Sequence, residues 1–221
     1  MGQHLSMLKI RTLSREEIIA NDPLGDFFVW WDDITIEDIL SLKKKLEISS
    51  NELEMQKFFE NNPIFLIQHL GGGHGRWVIP HKKLGSEYIT DFLIGEKHSG
   101  GFVWIAVELE SPKVKLFNKY GDPSKPLNHA IRQILDWRAW LQENQNYAAR
   151  SRNKNGLGLT DIEPRLEGLI LIGREKDLKD NNKELRRQLT NDLRIKIHTY
   201  DWLIRTASSR NEALKSSRQK G

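Results

Sequence analysis

The sequence predicts a mixed α/β fold with a central mixed sheet flanked by helices. Three observations carry that expectation. Two apolar runs, residues 88–94 and 102–110, follow each other across a glycine-bounded connection, 95–101, and read as neighbouring strands. A third run, residues 166–172, is almost wholly apolar, as in a strand buried on both faces. Between them, residues 127–143 place Ala130, Ile134, Leu135, Trp137 and Leu141 at helical spacing. Strands and helices interleaved in this way imply a sheet covered by helices.

Taken in order, residues 1–26 are polar and predicted to be weakly ordered, with a short helix at 14–20. Residues 34–46 carry Ile36, Ile39, Leu40 and Leu46 in a helical pattern, with Thr35 to cap it and Asp38 in its first turn. A second helix is expected over 50–61, with Ser50 as cap and Leu53, Met55, Phe58 and Phe59 as its apolar surface, stopped before Pro63. Residues 71–75 are a glycine-rich loop, and no Gly-Lys-Ser/Thr follows to make it a phosphate loop. Residues 77–79 open a short strand. After the central helix come a basic loop at 147–160, a helix at 183–193, a strand at 195–199 and a short helix at 200–207. The predicted organisation is an N-terminal helical or flexible extension (1–47), a core domain (48–207) and a disordered tail (208–221).

Composition narrows the chemistry. The 221 residues include no cysteine, which excludes disulfides and thiolate metal sites and fits a reducing cytoplasm. No apolar run reaches the roughly 20 residues that span a bilayer, and the first residues lack the features of a signal peptide. A net charge of +4 is mildly basic and permits a polyanionic partner without demanding one.

The carboxylates are the chemical signal. Asp91 closes one apolar run, and Glu108 and Glu110 close the next. Alternate strand residues share a face, so Glu108 and Glu110 point the same way, and pairing of the strands would bring Asp91 beside them. Converging carboxylates repel unless a cation joins them, and hard divalent ions such as Mg²⁺ or Mn²⁺ favour such oxygen ligands. The ordinary alternatives are a turn-capping aspartate and solvated strand-end glutamates. Against these, an unpaired carboxylate beside Val107 in a buried strand is costly. No histidine pair has zinc-site spacing. Lys113, Lys115 and Lys119 follow the acidic strand, and His129 and Arg132 lie on the helix after it. Arg76, Lys82, Lys83, Arg138, Arg150, Arg152 and Lys154 form further basic clusters. Each cluster is ordinarily a solvated face; on one side of the molecule they would track a phosphate backbone.

Several phrases together resemble the nuclease domain of the Shedu anti-phage proteins, within the PD-(D/E)XK, restriction-endonuclease-like superfamily. They are residues 51–63, Thr90-Asp-Phe-Leu-Ile94, Val107-Glu-Leu-Glu-Ser-Pro112, residues 127–137, Leu169-Ile-Leu-Ile-Gly-Arg174 and Thr199-Tyr-Asp-Trp-Leu203. The resemblance implies a Mg²⁺- or Mn²⁺-dependent DNA endonuclease in bacterial defence that assembles as a homo-oligomer, a dimer or tetramer. It assigns Asp91 and Glu108 to the metal-binding acidic positions, Glu52 to an acidic position on the first helix, and Gln133 to the glutamine of the helix after the site. Glu110 stands where the superfamily usually has lysine. A glutamate there can add a metal ligand or accept a proton, and Lys113 is the candidate for the missing cation. The expected DNA contacts are Lys113, Lys115, Lys119, His129 and Arg132. The competing expectation is a weak or inactive nuclease fold serving as a DNA-binding or oligomeric sensor module.

Overall fold

The computed structural model describes residues 14–20, 22–71, 73–178 and 182–219. Residues 1–13, part of the segment expected to be weakly ordered, lie outside the described residues, as do Gly72 of the glycine loop and the last two of the tail. Among the described residues, six α-helices and seven strands follow in the order α1 (Arg15–Ala20), α2 (Ile36–Ile48), α3 (Glu52–Asn61), β1 (Gly75–Pro80), β2 (Lys83–Leu84), β3 (Tyr88–Ile89), β4 (Phe92–His98), β5 (Gly101–Leu109), α4 (Lys125–Ala149), β6 (Glu167–Leu171), α5 (Asn182–Leu193), β7 (Ile195–His198) and α6 (Tyr200–Arg218).

Five strands make one mixed sheet in the order β1-β4-β5-β6-β7, antiparallel from β1 to β5 and parallel from β5 to β7. Each face of the sheet has its own core. Leu93, Ala106 and Ile170 point toward Ala130, Ile134 and Trp137 of α4. Phe92, Val107, Leu109 and Leu171 point toward Leu42 of α2, Met55 and Phe59 of α3 and Leu203 of α6. The sheet is thus a middle layer, buried on both sides. This explains why its parallel strands read as continuous apolar runs rather than as alternation.

The helix starts follow their caps. Thr35 and Asp38 form a reciprocal capping box at α2. At α3 the cap is Asn51, whose side chain accepts from the Glu54 amide at 3.0 Å. Ser50, the expected cap, instead donates to the Glu54 carboxylate at 2.9 Å.

Four further expectations change. The run 88–94 is not one strand: it breaks at a bend on Asp91, and Tyr88–Ile89 pairs with Lys83–Leu84 in a separate ribbon. The connection 95–101 is mostly strand. β4 continues to His98, and Gly95 lies under the Trp104 ring, where a Cβ would come within 2.7 Å of the indole. Residues 208–218 belong to α6 and are not a tail. Asn211 is buried there and donates to the Ile34 carbonyl at 3.0 Å. Finally, α2 is part of the core, supplying Ile39, Leu42 and Leu46, whereas Leu135 of α4 is exposed. Among the described residues no helix is long and apolar enough to cross a membrane.

Candidate functional site

The site lies where β5 ends. In the register between β4 and β5, Phe92 is opposite Val107. Asp91, one residue before Phe92, and Glu108, one residue after Val107, are therefore neighbours across the two strands. Side-chain alternation turns Glu108 away from Val107 and toward α4. Glu110 follows β5 and is fixed through its backbone on both sides. Its amide donates to the Leu171 carbonyl at 2.9 Å, and its carbonyl accepts from the Tyr200 hydroxyl at 2.7 Å. Glu52 comes from the first turn of α3.

These four carboxylates sense one another. Glu108 is 3% exposed, and its carboxyl is pushed up to about 10, by burial first and then by the charges of Asp91, Glu52 and Glu110. The opposing influence is the side-chain amide of Gln133 on α4. One Glu108 oxygen, Oε2, is buried without a hydrogen-bond partner. Glu110 is pushed up to about 7 by burial, Glu52 and Asp91. Burial and Asp91 also raise Glu52. Asp91 is raised by burial, against the pull of the Leu109 amide, which donates to its Oδ2 at 2.8 Å. Glu54, in the same turn as Glu52, is turned away to the α3 cap and Lys45.

The Asp91 side chain has a second support, which the sequence did not disclose. Gln56 of α3 donates from Nε2 to Asp91 Oδ1 at 3.4 Å, and the same nitrogen lies 3.3 Å from His81 Nδ1. His81 Nε2 in turn lies 2.7 Å from Glu60 Oε1. The helical interval between Gln56 and Glu60 was a readable signal that both lie on one side of α3. Their convergence with His81 depends on tertiary structure.

The expected cations are placed differently. The Lys113 ammonium lies 3.4 Å from the Glu47 carbonyl, at the end of α2. It is absent from the charges that perturb Glu108 and Glu110. Lys115 and Lys119 are exposed and line a cavity of about 450 Å³ beside the start of α4. His129 and Arg132 are exposed on α4 itself. Other basic residues hold the fold together. Arg76 is buried against Glu96, Lys82 donates to the Leu157 carbonyl, and Arg138 donates to the carbonyls of Leu166, Leu193 and Arg194.

The donor set consists of hard oxygens, one of them the orphaned Glu108 Oε2, and such donors suit a hard divalent cation. Among the described residues, however, no three or more His, Asp or Glu side chains are closed into a metal-binding group. The carboxylates are within electrostatic reach of one another without forming a finished shell.

A mixed α/β domain with a buried acidic cluster at the carboxyl end of a sheet strand is the class that fold and site define. A family model described as "Shedu protein SduA, C-terminal" matches residues 49–204. The chain belongs to the Shedu family, and that membership suggests a role in anti-phage defence. No curated protein is matched by the chain.

Proposed function

We propose that this protein is a divalent-metal-dependent DNA endonuclease of the PD-(D/E)XK type, acting in anti-phage defence. The observation that carries the reading is the gathering of Asp91, Glu108, Glu110 and Glu52 at the end of β5, where burial raises all four and neighbouring carboxylates raise Glu52, Glu108 and Glu110 further. A purely structural cluster of this kind would be a standing cost, because buried like charges repel. Asp91, Glu108 and Glu110 would hold Mg²⁺ or Mn²⁺. When bound, such an ion supplies a Lewis acid that lowers the pKa of water and offsets charge on a phosphate.

The chain's own residues have separable tasks. Asp91 is held by the Leu109 amide and Gln56, so its carboxylate is oriented before any ligand arrives. Gln133 faces Glu108 and favours its charged form. Glu110, where the superfamily usually has lysine, would either complete the metal's oxygen ligands or accept a proton from a water attacking the phosphodiester. Exposed Lys115, Lys119, His129 and Arg132 are the proposed contacts to the DNA backbone, and they would position without reading bases.

Plasmid nicking with Mg²⁺ or Mn²⁺ tests this. Loss of cleavage in Glu108→Ala and in Asp91→Ala, with folding intact, is the expected result. Undiminished cleavage in both variants would reject this site. One observation favours a second reading, a nuclease-fold DNA-binding or sensor module without turnover. Glu110 occupies the usual lysine position, and Lys113 is engaged at Glu47. That reading predicts salt-sensitive DNA binding with no metal-stimulated nicking. Light scattering tests the self-association expected of either form.

A further inference from the structure

The Asp91 support has an internal logic that assigns a role to residues outside the acidic cluster. Gln56 is 8% exposed, and its Nε2 carries two hydrogens. One is directed to Asp91 Oδ1 and the other to His81 Nδ1. His81 Nδ1 must then be the bare, accepting nitrogen, and the ring proton sits on Nε2, where the Glu60 carboxylate accepts it at 2.7 Å. With Gln56 Nε2 as the donor to both neighbours, this tautomer satisfies all three contacts. The tautomer of His81 and the flip of Gln56 are assigned together from this network.

The backbone is built around the same chain of contacts. His81 adopts a left-handed φ of +47°, which an L-residue rarely takes, and its amide donates to the Asp91 carbonyl at 3.0 Å. The bend that breaks the run 88–94 is thereby tied to His81 through the main chain, while Gln56 ties the two through their side chains. A disfavoured backbone state at a site edge, held by several contacts, marks a position that the surroundings over-determine.

We propose that Gln56 is a positioning residue for Asp91, held in its working orientation by His81 and Glu60. The inference rests on the reading that Asp91 helps to hold a divalent cation. It adds that the Asp91 carboxylate is oriented from outside the cluster by a three-residue chain reaching the surface at Glu60. Outer partners of metal ligands act in this way, and their loss lowers metal affinity about 10- to 100-fold.

The experiment is a calorimetric Mn²⁺ titration of the full chain and its variants, with thermal melts of each. Gln56→Leu removes the donor and keeps the bulk; it is expected to weaken Mn²⁺ binding by about 10-fold or more. His81→Asn keeps a residue tolerant of left-handed backbone and removes the ring; a loss of roughly 3- to 10-fold is expected, below that for Gln56 itself. Glu60→Gln still offers an oxygen to His81 and should restore most of what Glu60→Ala loses. Glu60 is exposed, so these two variants fold even if Gln56→Leu does not. That rescue separates orientation from bulk stability, which would move melts and not affinities. Wild-type affinity in Gln56→Leu, or in both His81→Asn and Glu60→Ala, overturns the proposal if Asp91→Asn abolishes binding. If the wild-type chain binds no Mn²⁺, or Asp91→Asn binds it normally, the metal reading falls and the proposal with it.

Discussion

Two groups of partly or fully buried charge sit beyond the carboxyl ends of the parallel strands, and they are built on opposite plans. In one, Arg174 follows β6 and meets Asp201 at the start of α6 at 3.0 Å and Glu47 of α2 at 3.1 Å. Burial would raise Asp201, but hydrogen bonds from Arg174 and the Glu175 amide, with the guanidinium charge, bring it below its ordinary value. Arg174 is raised by the same hydrogen bond. In the other, Glu108 is buried among carboxylates and is raised. A paired group is complete as it stands and fastens three helical and strand elements. An unpaired one lacks a counter-charge, which is what the proposed divalent cation would supply.

The comparison can be broken most directly by removing one member from each group. Glu108→Gln should abolish metal-dependent nicking, a fall on the order of 10²-fold or more, without loss of stability. Asp201→Asn should leave nicking near wild type and cost roughly 1–3 kcal/mol in denaturant melts. Reversal of the two outcomes would show that the acidic cluster is structural.

The pH dependence of the metal-free protein sharpens it further. Glu108 in the folded state holds its proton up to about 10, well above the ordinary 4.5. The folded state therefore binds the extra proton across that window, and stability falls as pH rises through it. Glu110 adds a smaller fall between 4.5 and about 7. Asp201 behaves with the opposite sign, because its depressed carboxyl contributes stability that is lost as pH falls into the acid range. Melts of Glu108→Gln against wild type should diverge as pH increases, with the variant the more stable.

Mn²⁺ affinity supplies a third test. Binding must displace protons from raised carboxyls, so affinity should increase with pH from 6 to 8, by up to about tenfold per unit for each proton released. A flat titration would contradict the raised values at Glu108 and Glu110.

The smallest expected effect comes from Glu110→Lys, which puts a cation among the remaining three carboxylates and makes the acidic group resemble the paired one. A gain on the order of 1 kcal/mol in the metal-free protein is expected from differential melts, the worth of about one pKa unit.

Much of this was legible in the chain. The run ending in Glu108 is apolar on both faces, and the buried middle layer of the sheet explains that pattern directly. Asp91 and Glu108 were readable as neighbours because strand register needs only two adjoining runs. The bend at Asp91 was not readable. It is made by the Leu109 amide and by His81, contacts between separate segments rather than a local turn signal. Gln56 and His81 were hidden for the same reason, being 25 residues apart. Glu52 was named from the resemblance alone; that Glu54 serves the helix end follows from the cap at Asn51, one residue on from the expected Ser50. The last turns of α6 looked like a tail because their buried side includes a polar residue, Asn211, whose partner Ile34 is remote in sequence.

Tyr200 gives the site a mechanical connection to the outside of the molecule. Its hydroxyl is the fastening on the Glu110 carbonyl, while its ring stacks on Phe59 of α3 at 6.2 Å and an interplanar angle of 8°. The first turn of the C-terminal helix, the helix that carries Glu52 and Gln56, and the peptide that presents Glu110 are thereby joined at one phenol. A shift of the first turn of α6 therefore reaches the Glu110 peptide directly. Tyr200→Phe would leave the stack in place and let the two sides turn independently, an uncoupling that amide hydrogen exchange around Glu110 would register.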